Sequence, residues 1–221
     1  MPARDPARRV AVTGLGCVSA LGQGVEPTWA RLMAGEGGIR PVSRRVADDP
    51  ELAFEGPAAP VEALDPAPLA DRFGPKPLAN LDPLAAFALV ATHEALVQAG
   101  LVDHEVLRER TAIVYGSGSG GNATVEEGYH RLFARRTGSV HPQTVPRQML
   151  SAPVGHISMS YGVRGPAFAV ASACASASHA LGEAMHMIRA GRCEAAIAGG
   201  SEAALTFGSW RAWSALRAAR R

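Results

Sequence analysis

The sequence has 221 residues, of which 47% are hydrophobic, and its 22 basic residues nearly balance 20 acidic ones. A chain of this size and hydrophobic content can bury a sizeable core, so we expect residues 1–221 to be globular, as one large domain or one and a half small ones. The net charge of +2 gives no support for nucleic-acid binding, and no apolar run approaches the about 18 residues that a membrane-spanning helix needs.

The first part of the chain has the pattern of a strand, a turn and a helix. Residues 9–13 form a short apolar run that predicts a buried strand, and Gly14 and Gly16 predict a turn after it. Residues 26–33 have helical character and stop at Gly35. Residues 41–83 then hold nine of the 16 prolines with little periodicity, which predicts a surface excursion of irregular loops and short turns.

Regular structure resumes after the proline-rich segment. Apolar residues recur at helical spacing from Pro83, a favoured first-turn residue, to Gly100, a favoured stop, which predicts a core helix. Short apolar runs at residues 111–115, 167–172 and 194–198 predict three further strands. Strands separated by helices indicate an α/β fold with a mainly parallel sheet covered by helices.

Cys174 lies between a predicted strand and an Ala-rich helical stretch at residues 175–190. At such a strand-to-helix turn the helix N-terminus favours the thiolate and offers hydrogen bonds to an oxyanion, which suits acyl transfer through a thioester. From position alone, the alternative that Cys174 is a small buried hydrophobe is equally good. Cys17 and Cys193 lie beside glycine turns without a comparable helix, so we interpret both as structural.

The cysteine pattern also bears on the compartment. Three cysteines are an odd number, have no C-x-x-C spacing, and occur in a chain that opens without an apolar signal segment. We therefore expect a reducing, cytoplasmic setting.

The glycine turns suggest a nucleotide site, but their patterns do not fit one. The third glycine of a dinucleotide fingerprint that starts at Gly14 would fall at Ser19, and residues 116–121 lack the Gly-Lys-Ser/Thr ending of a phosphate loop. The seven histidines and three cysteines show no recognisable metal-ligand spacing. We expect no bound cofactor and no metal.

Several motifs, in order along nearly the whole chain, resemble those of the β-ketoacyl-acyl carrier protein synthases, the condensing enzymes of fatty acid synthesis. They are an opening turn, a middle glycine loop, a lead into the nucleophile strand, an active-site motif and a later strand end: Val12-Thr13-Gly14-Leu15-Gly16, residues 116–121, residues 161–166, Ser172-Ala173-Cys174-Ala175-Ser176 and Ala198-Gly199-Gly200-Ser201-Glu202. The segment from Trp210 to Arg217 is similar to the elongating type II branch and its nodulation-protein relatives.

The resemblance implies a thiolase-like fold, of which this chain is the N-terminal half, and a ping-pong condensation. An acyl group would pass from acyl carrier protein to Cys174; malonyl carrier protein would then bind, lose carbon dioxide and attack the thioester as a carbanion. In the family, two histidines and a lysine that assist decarboxylation lie in the second half. Because the sequence has no such motif and the family continues into a long second half after the position of Arg217, we interpret it as a fragment or a frameshifted product.

The resemblance also implies partners and further site residues. The family is dimeric, so we expect a homodimer that binds acyl carrier protein and the acyl and malonyl thioesters. Ser119 is expected at the acyl pocket, at a place where type II enzymes carry a larger apolar residue. Arg72, Lys76 and Arg217 are candidates for contact with the acidic carrier protein, although ordinary solvated charge explains the first two equally well.

Two function classes other than a condensing enzyme stay open. A non-catalytic partner that shapes another synthase's acyl pocket would usually have replaced the nucleophile, so Cys174 speaks against it. A cysteine hydrolase would need a histidine brought near Cys174 by the fold. His179 lies about 140° around the helix from Cys174, and His156 is similar to a structural histidine of the family.

Overall fold

The computed structural model describes residues 9–46 and 49–216 of the chain. The strands are β1 (Val18–Ser19), β2 (Gly22–Gln23), β3 (Arg40–Val46), β4 (Asp49–Ala58), β5 (Thr111–Gly116), β6 (Ala167–Val170) and β7 (Ala195–Gly200). The α-helices are α1 (Val25–Met33), α2 (Ala67–Phe73), α3 (Pro83–Gln98), α4 (Val106–Glu109), α5 (Asn122–Tyr129), α6 (Thr144–Gln148), α7 (Ala152–Tyr161), α8 (Ser176–Arg189) and α9 (Phe207–Ala215), and a π-helical turn (His130–Ala134) continues α5.

The centre of the fold is a parallel three-stranded sheet in the order β6-β5-β7. Every residue of β5 is buried, as expected for a central strand covered on both faces. Ala112 and Val114 pack in one apolar cluster with residues of α8, whereas Ile113 and Tyr115 pack in another with residues of α3 and α7. The sheet is therefore the middle of three layers, and the expected α/β fold is confirmed.

The helix α3 begins at a well-formed cap. Asp82 is fully buried, and its Oδ1 accepts a hydrogen bond from the Leu84 amide at 2.9 Å, while Pro83 fills the first helical position. The second carboxylate oxygen accepts bonds from the amide (2.9 Å) and the hydroxyl (2.8 Å) of Thr124. One buried side chain thus caps α3 and fastens the first turn of α5 to it.

The strand predicted at residues 9–13 is not formed, so that prediction is wrong. Residues 9–16 carry no helix or strand and run along α3, where the Leu15 amide donates to Gln98 Oε1 at 2.6 Å. Val12 is 78% exposed. The physical reason is that a strand needs a neighbour to satisfy its backbone groups, and none of the described strands pairs with this segment.

The proline-rich segment is more regular than expected. It contains α2 and most of an antiparallel hairpin of β3 and β4, so the prediction of irregular loops over residues 41–83 is wrong for these elements. The hairpin packs against α9 through Phe54, whose ring stacks on Trp210 at a centroid distance of 5.0 Å. Pro41 and Pro57 face each other in the ladder; a two-stranded hairpin tolerates them because each strand has a free edge.

The other predicted elements are confirmed, with bounds that differ by a few residues. Helices occur where residues 26–33, 83–100 and 175–190 predicted them, and strands where residues 111–115, 167–172 and 194–198 did. Among the described residues, no helix combines the length and the apolar character needed to cross a lipid bilayer.

Candidate active site

Cys174 lies on a tight turn between β6 and α8. The residue before it, Ala173, has a φ of 51°, in the left-handed region that a residue with a Cβ enters at a cost of about 1 kcal/mol or more. Ser172 and Cys174 form an isolated bridge across this turn. Cys174 itself is exposed. The sequence prediction of a strand-to-helix turn at this cysteine is therefore confirmed.

The hydroxyl of Ser176 holds the turn in shape. Ser176 is only 3% exposed; its Oγ accepts a hydrogen bond from the Ser172 amide at 2.9 Å and donates one to the Ala173 carbonyl at 2.7 Å. The Ser176 amide also donates to the Ala173 carbonyl, at 3.1 Å. One hydroxyl thus binds the backbone of Ser172, before the left-handed residue, and the carbonyl of Ala173 itself. The hydroxyl of Ser172, by contrast, is buried with no hydrogen-bond partner.

Two glycines at the carboxyl ends of the neighbouring strands let the first turn of α8 approach the sheet. A Cβ on Gly116, at the end of β5, would overlap the backbone of Ser176. A Cβ on Gly200, at the end of β7, would lie 2.7 Å from the Cβ of Ala177. Cys174 is consequently held at the carboxyl edge of the sheet, where ligands of parallel α/β sheets bind.

Ser119 lies on the glycine loop after β5. Its hydroxyl donates a hydrogen bond to Glu202 Oε1 at 2.8 Å and accepts one from Asn122 Nδ2 at 3.0 Å. The adjacent Gly118 amide donates to Glu202 Oε2 at 2.8 Å. Glu202 comes after β7, so one carboxylate joins the loops after two neighbouring strands.

The structure places the three candidate carrier-protein residues differently. Arg72 forms an ion pair with Asp103 (2.5 Å), and its guanidinium lies over the ring of Tyr161 at 5.3 Å. Lys76 is exposed and forms no ion pair with a described residue. Arg217 lies outside the described residues. Of the first two, Arg72 therefore has the stronger structural role.

Cys17 and Cys193 differ from Cys174 in environment. Cys17 is half-buried, and Cys193 is buried in the cluster between the sheet and α8. Burial raises the pKa of the Cys193 thiol, although a hydrogen bond with the Ala112 backbone and the nearby Arg192 charge oppose this effect. Both environments suit a structural role.

Histidines give Cys174 no direct partner. Within the described part of the chain, no hydrogen bond or ion pair links Cys174 to a histidine, and no three His, Cys, Asp or Glu side chains cluster as metal ligands would. His179 is exposed on α8. His156 is half-buried on α7, where burial lowers its pKa, and it lines a cavity of about 290 Å³ next to Arg147.

A larger, mainly apolar cavity of about 440 Å³ lies between the β3–β4 hairpin, α5 and α9. Its lining includes Leu52, Tyr129, Phe133 and Phe207. Cys174 and Ser119 line neither this cavity nor the smaller one. The position of the acyl pocket stays a prediction.

Sequence reasoning gave no role to two residues that organise the site, Ser176 and Glu202. Both lie within motifs of the family resemblance, which indicate a position in the chain but no contacts. A signal for Glu202 is present in the sequence: it is an acidic residue directly after a strand that ends in glycines, and a second glycine loop ends another strand. Which donors it binds depends on the pairing of β5 with β7.

The chain matches the model of the β-ketoacyl synthase N-terminal domain over residues 7–221. It is 35% identical over 212 residues to nodulation protein E of Rhizobium leguminosarum bv. trifolii. The aligned region covers 95% of this chain and 51% of that protein. It is 33% identical over 199 residues to 3-oxoacyl-[acyl-carrier-protein] synthase 2 of Coxiella burnetii, covering 90% of this chain and 47% of that protein.

Among solved structures, the fold matches one chain of a structure described as a type II PKS acyl-carrier protein in complex with its ketosynthase bound to the hexaketide. The TM-score is 0.67 at 26% identity, with 95% of this chain and 49% of that chain covered. The chain thus spans about half the length of the relatives it matches. It belongs to the β-ketoacyl synthase family, and its fold is thiolase-like.

Proposed function

We propose that this chain is the nucleophile-bearing part of a β-ketoacyl-acyl carrier protein synthase, an acyltransferase of fatty acid or related acyl-chain synthesis. The observation that carries the proposal is the placement of Cys174: an exposed thiol on a left-handed turn at the start of a 14-residue helix. A helix N-terminus stabilises negative charge on a thiolate and on an oxyanion beside it.

The proposed chemistry has two half-reactions. In the first, the Cys174 thiolate attacks the carbonyl carbon of an acyl carrier thioester, the bond from that carbon to the carrier sulfur breaks, and the carrier leaves as a thiolate, so the enzyme becomes an acyl thioester. In the second, malonyl carrier protein loses carbon dioxide, and its α-carbon attacks the acyl-Cys174 carbonyl. A carbon–carbon bond forms, the Cys174 thiolate leaves, and the product is a 3-oxoacyl carrier thioester.

The groups that assist the second half-reaction would come from outside residues 1–221. The family resemblance assigns decarboxylation to two histidines with a supporting lysine, which belong to the second half of the fold. Residues 1–221 by themselves would accept an acyl group without completing condensation, because positioned electrostatic groups of this kind typically contribute about 10²- to 10³-fold each.

Acyl carrier protein is the proposed macromolecular substrate, with Lys76 and Arg217 as contacts and Arg72 as a weaker candidate. Lys76 supports this because it is exposed. Arg72 is weaker because its guanidinium already contacts Asp103 and two aromatic rings. A relative's structure that contains an acyl-carrier protein with its ketosynthase is consistent with such a partner.

A second copy of the chain is the other proposed partner. The outer side of β6 pairs with no described strand, and Phe168 on it is 37% exposed. An unpaired strand edge with an exposed aromatic ring suits an interface. We further propose a cytoplasmic location, because the three cysteines are free thiols.

The test is acyl transfer to the purified chain, read by intact mass after incubation with an acyl carrier thioester. We expect one acyl adduct on Cys174, none on a Cys174→Ala variant, and no release of carbon dioxide from malonyl carrier protein. An adduct that persists in Cys174→Ala would contradict the proposed nucleophile. Release of carbon dioxide at a rate comparable with a version extended by the second half would contradict the proposed division of labour.

A further inference from the structure

We infer that Glu202 is a positioning residue of the Cys174 site: its carboxylate holds the loop at residues 117–119 against the turn that carries Cys174 and so fixes the position of that loop and the direction of the Ser119 hydroxyl. The part of this inference that concerns acyl chains rests on the proposed function. The part that concerns the geometry around Cys174 does not.

Three donors of one loop converge on this carboxylate. The Gly118 amide donates to Oε2 at 2.8 Å, the Ser119 hydroxyl donates to Oε1 at 2.8 Å, and the Ser117 hydroxyl approaches Oε2 at 3.5 Å. The two shorter bonds use different oxygens, so the carboxylate is bound on both sides. Hydrogen bonds to a charged acceptor are stronger than neutral ones, so these bonds link the loop firmly to the residue that follows β7.

The clamped loop lies directly against the nucleophile turn. A Cβ built on Gly118 would lie 3.1 Å from Glu202 Oε2 and 3.6 Å from the carbonyl oxygen of Ala173, the residue before Cys174. No side chain therefore separates the clamped backbone from that turn. A shift of the loop by a fraction of an ångström would change the space next to Cys174.

The loop is anchored on its far side as well. Asn122 Nδ2 donates to Ser119 Oγ at 3.0 Å and to Ser209 Oγ of α9 at 3.3 Å. Ser119 is thus held between Glu202 and Asn122 and has no freedom to turn its hydroxyl away while both bonds persist. Glu202 is the partner that fixes the direction of the Ser119 proton, because a carboxylate can only accept.

A carboxylate suits this position better than an amide. Replacing Glu202 by Gln keeps the shape but turns one acceptor into an NH₂ group that must face either the Gly118 amide or the Ser119 hydroxyl. If the NH₂ group faces the Gly118 amide, that amide loses its acceptor; if it faces Ser119, the hydroxyl oxygen can accept from it but the Ser119 proton loses the carboxylate. In either orientation the remaining bond is to a neutral group and weaker, so the loop is expected to move away from the substituted side chain.

The experiment compares how Cys174 reacts with a short and a long thiol probe. Rates of labelling by N-ethylmaleimide and by N-dodecylmaleimide are read at Cys174 by mass spectrometry on the full chain, together with the thermal midpoint. The variants are Glu202→Gln, Ser119→Ala and their double mutant. The matched control is Glu126→Gln, since Glu126 also accepts a bond from a glycine amide, that of Gly208 at 2.9 Å, and accepts none from residues 117–119.

We expect Glu202→Gln to change the long-to-short rate ratio by about fivefold, the effect of losing roughly one hydrogen bond, while Glu126→Gln leaves it unchanged. In the double mutant the effect of Ser119→Ala should be much smaller than in the wild type, because the two residues act through one contact. An unchanged ratio in Glu202→Gln, equal ratios in both Gln variants, or strictly additive effects would overturn the inference.

Two further measurements keep the outcomes distinct. If Glu202→Gln does not fold, Gly118→Ala is the replacement variant, because its methyl group would lie 3.1 Å from Glu202 Oε2 and disturb the same contact less. It should change the ratio of labelling rates in the same direction. An unchanged ratio in this variant would overturn the inference. Acyl transfer from a carrier thioester is measured separately on the wild type. A shifted probe ratio without acyl transfer leaves the positioning role intact and overturns the proposed function. Acyl transfer with an unchanged probe ratio supports the proposed function and overturns the positioning role.

Discussion

The turns that carry Cys174 and Cys17 resemble each other but lead into different elements. Near each cysteine, backbone amides of a glycine-containing segment donate hydrogen bonds to a carboxylate far away in the chain. Glu202 accepts from the Gly118 amide of the loop near the Cys174 turn, and Glu94 accepts from the amides of Cys17 (2.9 Å) and Val25 (2.7 Å). The Cys17 amide is therefore already bound to a carboxylate. The Cys174 turn leads directly into α8, whereas the short strands β1 and β2 separate Cys17 from the start of α1.

This difference shows that two cysteines near glycine-rich segments can have different environments. Cys174 is exposed and stands at a helix start, while Cys17 is half-buried. The environment separates the two thiols even though their local sequences share small residues and apolar neighbours. Substitutions and labelling can test where the two turns behave alike and where they do not.

The largest effect is expected from adding a methyl group where backbone meets backbone, and it should be similar in both turns. Gly116→Ala would overlap Ser176, and Gly16→Ala would overlap the Ala91 carbonyl, so each should lower the free energy of unfolding by about 3 kcal/mol. Gly155→Ala is the control, because its Cβ would meet nothing within 4 Å inside α7; it should raise stability by about 0.5 to 1 kcal/mol. Denaturant unfolding measures all three, and a Gly116→Ala chain as stable as the wild type would contradict the packing of α8 on β5.

Thiol reactivity should separate the two turns sharply. At neutral pH we expect Cys174 to be alkylated about 100-fold faster than Cys193, which reacts only when the chain opens locally, and about tenfold faster than the half-buried Cys17. Because burial raises the pKa of Cys193, its thiolate forms at higher pH than that of an ordinary cysteine, and its labelling should rise only in alkaline solution. Competitive alkylation read by mass spectrometry over a pH series measures this. Faster labelling of Cys17 than of Cys174 at any pH would refute the assignment of the nucleophile.

The hydroxyl that locks the Cys174 turn should matter more than its buried neighbour. Ser176→Ala removes two hydrogen bonds of a buried residue and should lower the free energy of unfolding by about 1 to 3 kcal/mol. Ser172→Ala removes a hydroxyl with no partner and should be neutral or slightly stabilising. Thermal or denaturant unfolding of the two variants gives the comparison. Equal destabilisation by both substitutions would argue against a stabilising role for the two hydrogen bonds of the Ser176 hydroxyl.

The smallest effect at Cys174 is expected from the carboxylate of the other turn. Glu94→Gln should reduce stability by about 1 kcal/mol, because one of the two amides then faces an NH₂ group and loses its acceptor, while the other keeps only a neutral one. The labelling rate of Cys17 should change, while that of Cys174 stays the same. The measurement is the ratio of the two rates before and after substitution. A parallel change at Cys174 would show that the turns are coupled, contrary to their separate anchoring.

The sequence was a good guide to the elements whose signals are local. The helix α3 has a capping Asp82 and a first-turn Pro83 beside its apolar repeat, and β5 is a continuous apolar run, so their type and position could be predicted. The short apolar run before Cys174 and the Ala-rich stretch after it placed this residue at a strand-to-helix turn. The proline-rich hairpin was missed because proline density indicates loops, whereas prolines in a two-stranded ladder interfere little with pairing.

The sequence by itself determined the α/β class, the position of the turn that carries Cys174 and the main helices, because periodicity, caps and glycine turns act over a few residues. Only the tertiary structure decided that residues 9–16 lie along α3 as irregular chain, although their pattern resembles that of β5. It also decided that Ser176 closes the Cys174 turn and that Glu202 binds the loop containing Ser119. Strand formation and carboxylate contacts depend on which partners the fold brings alongside, and those partners lie up to 85 residues away in the chain.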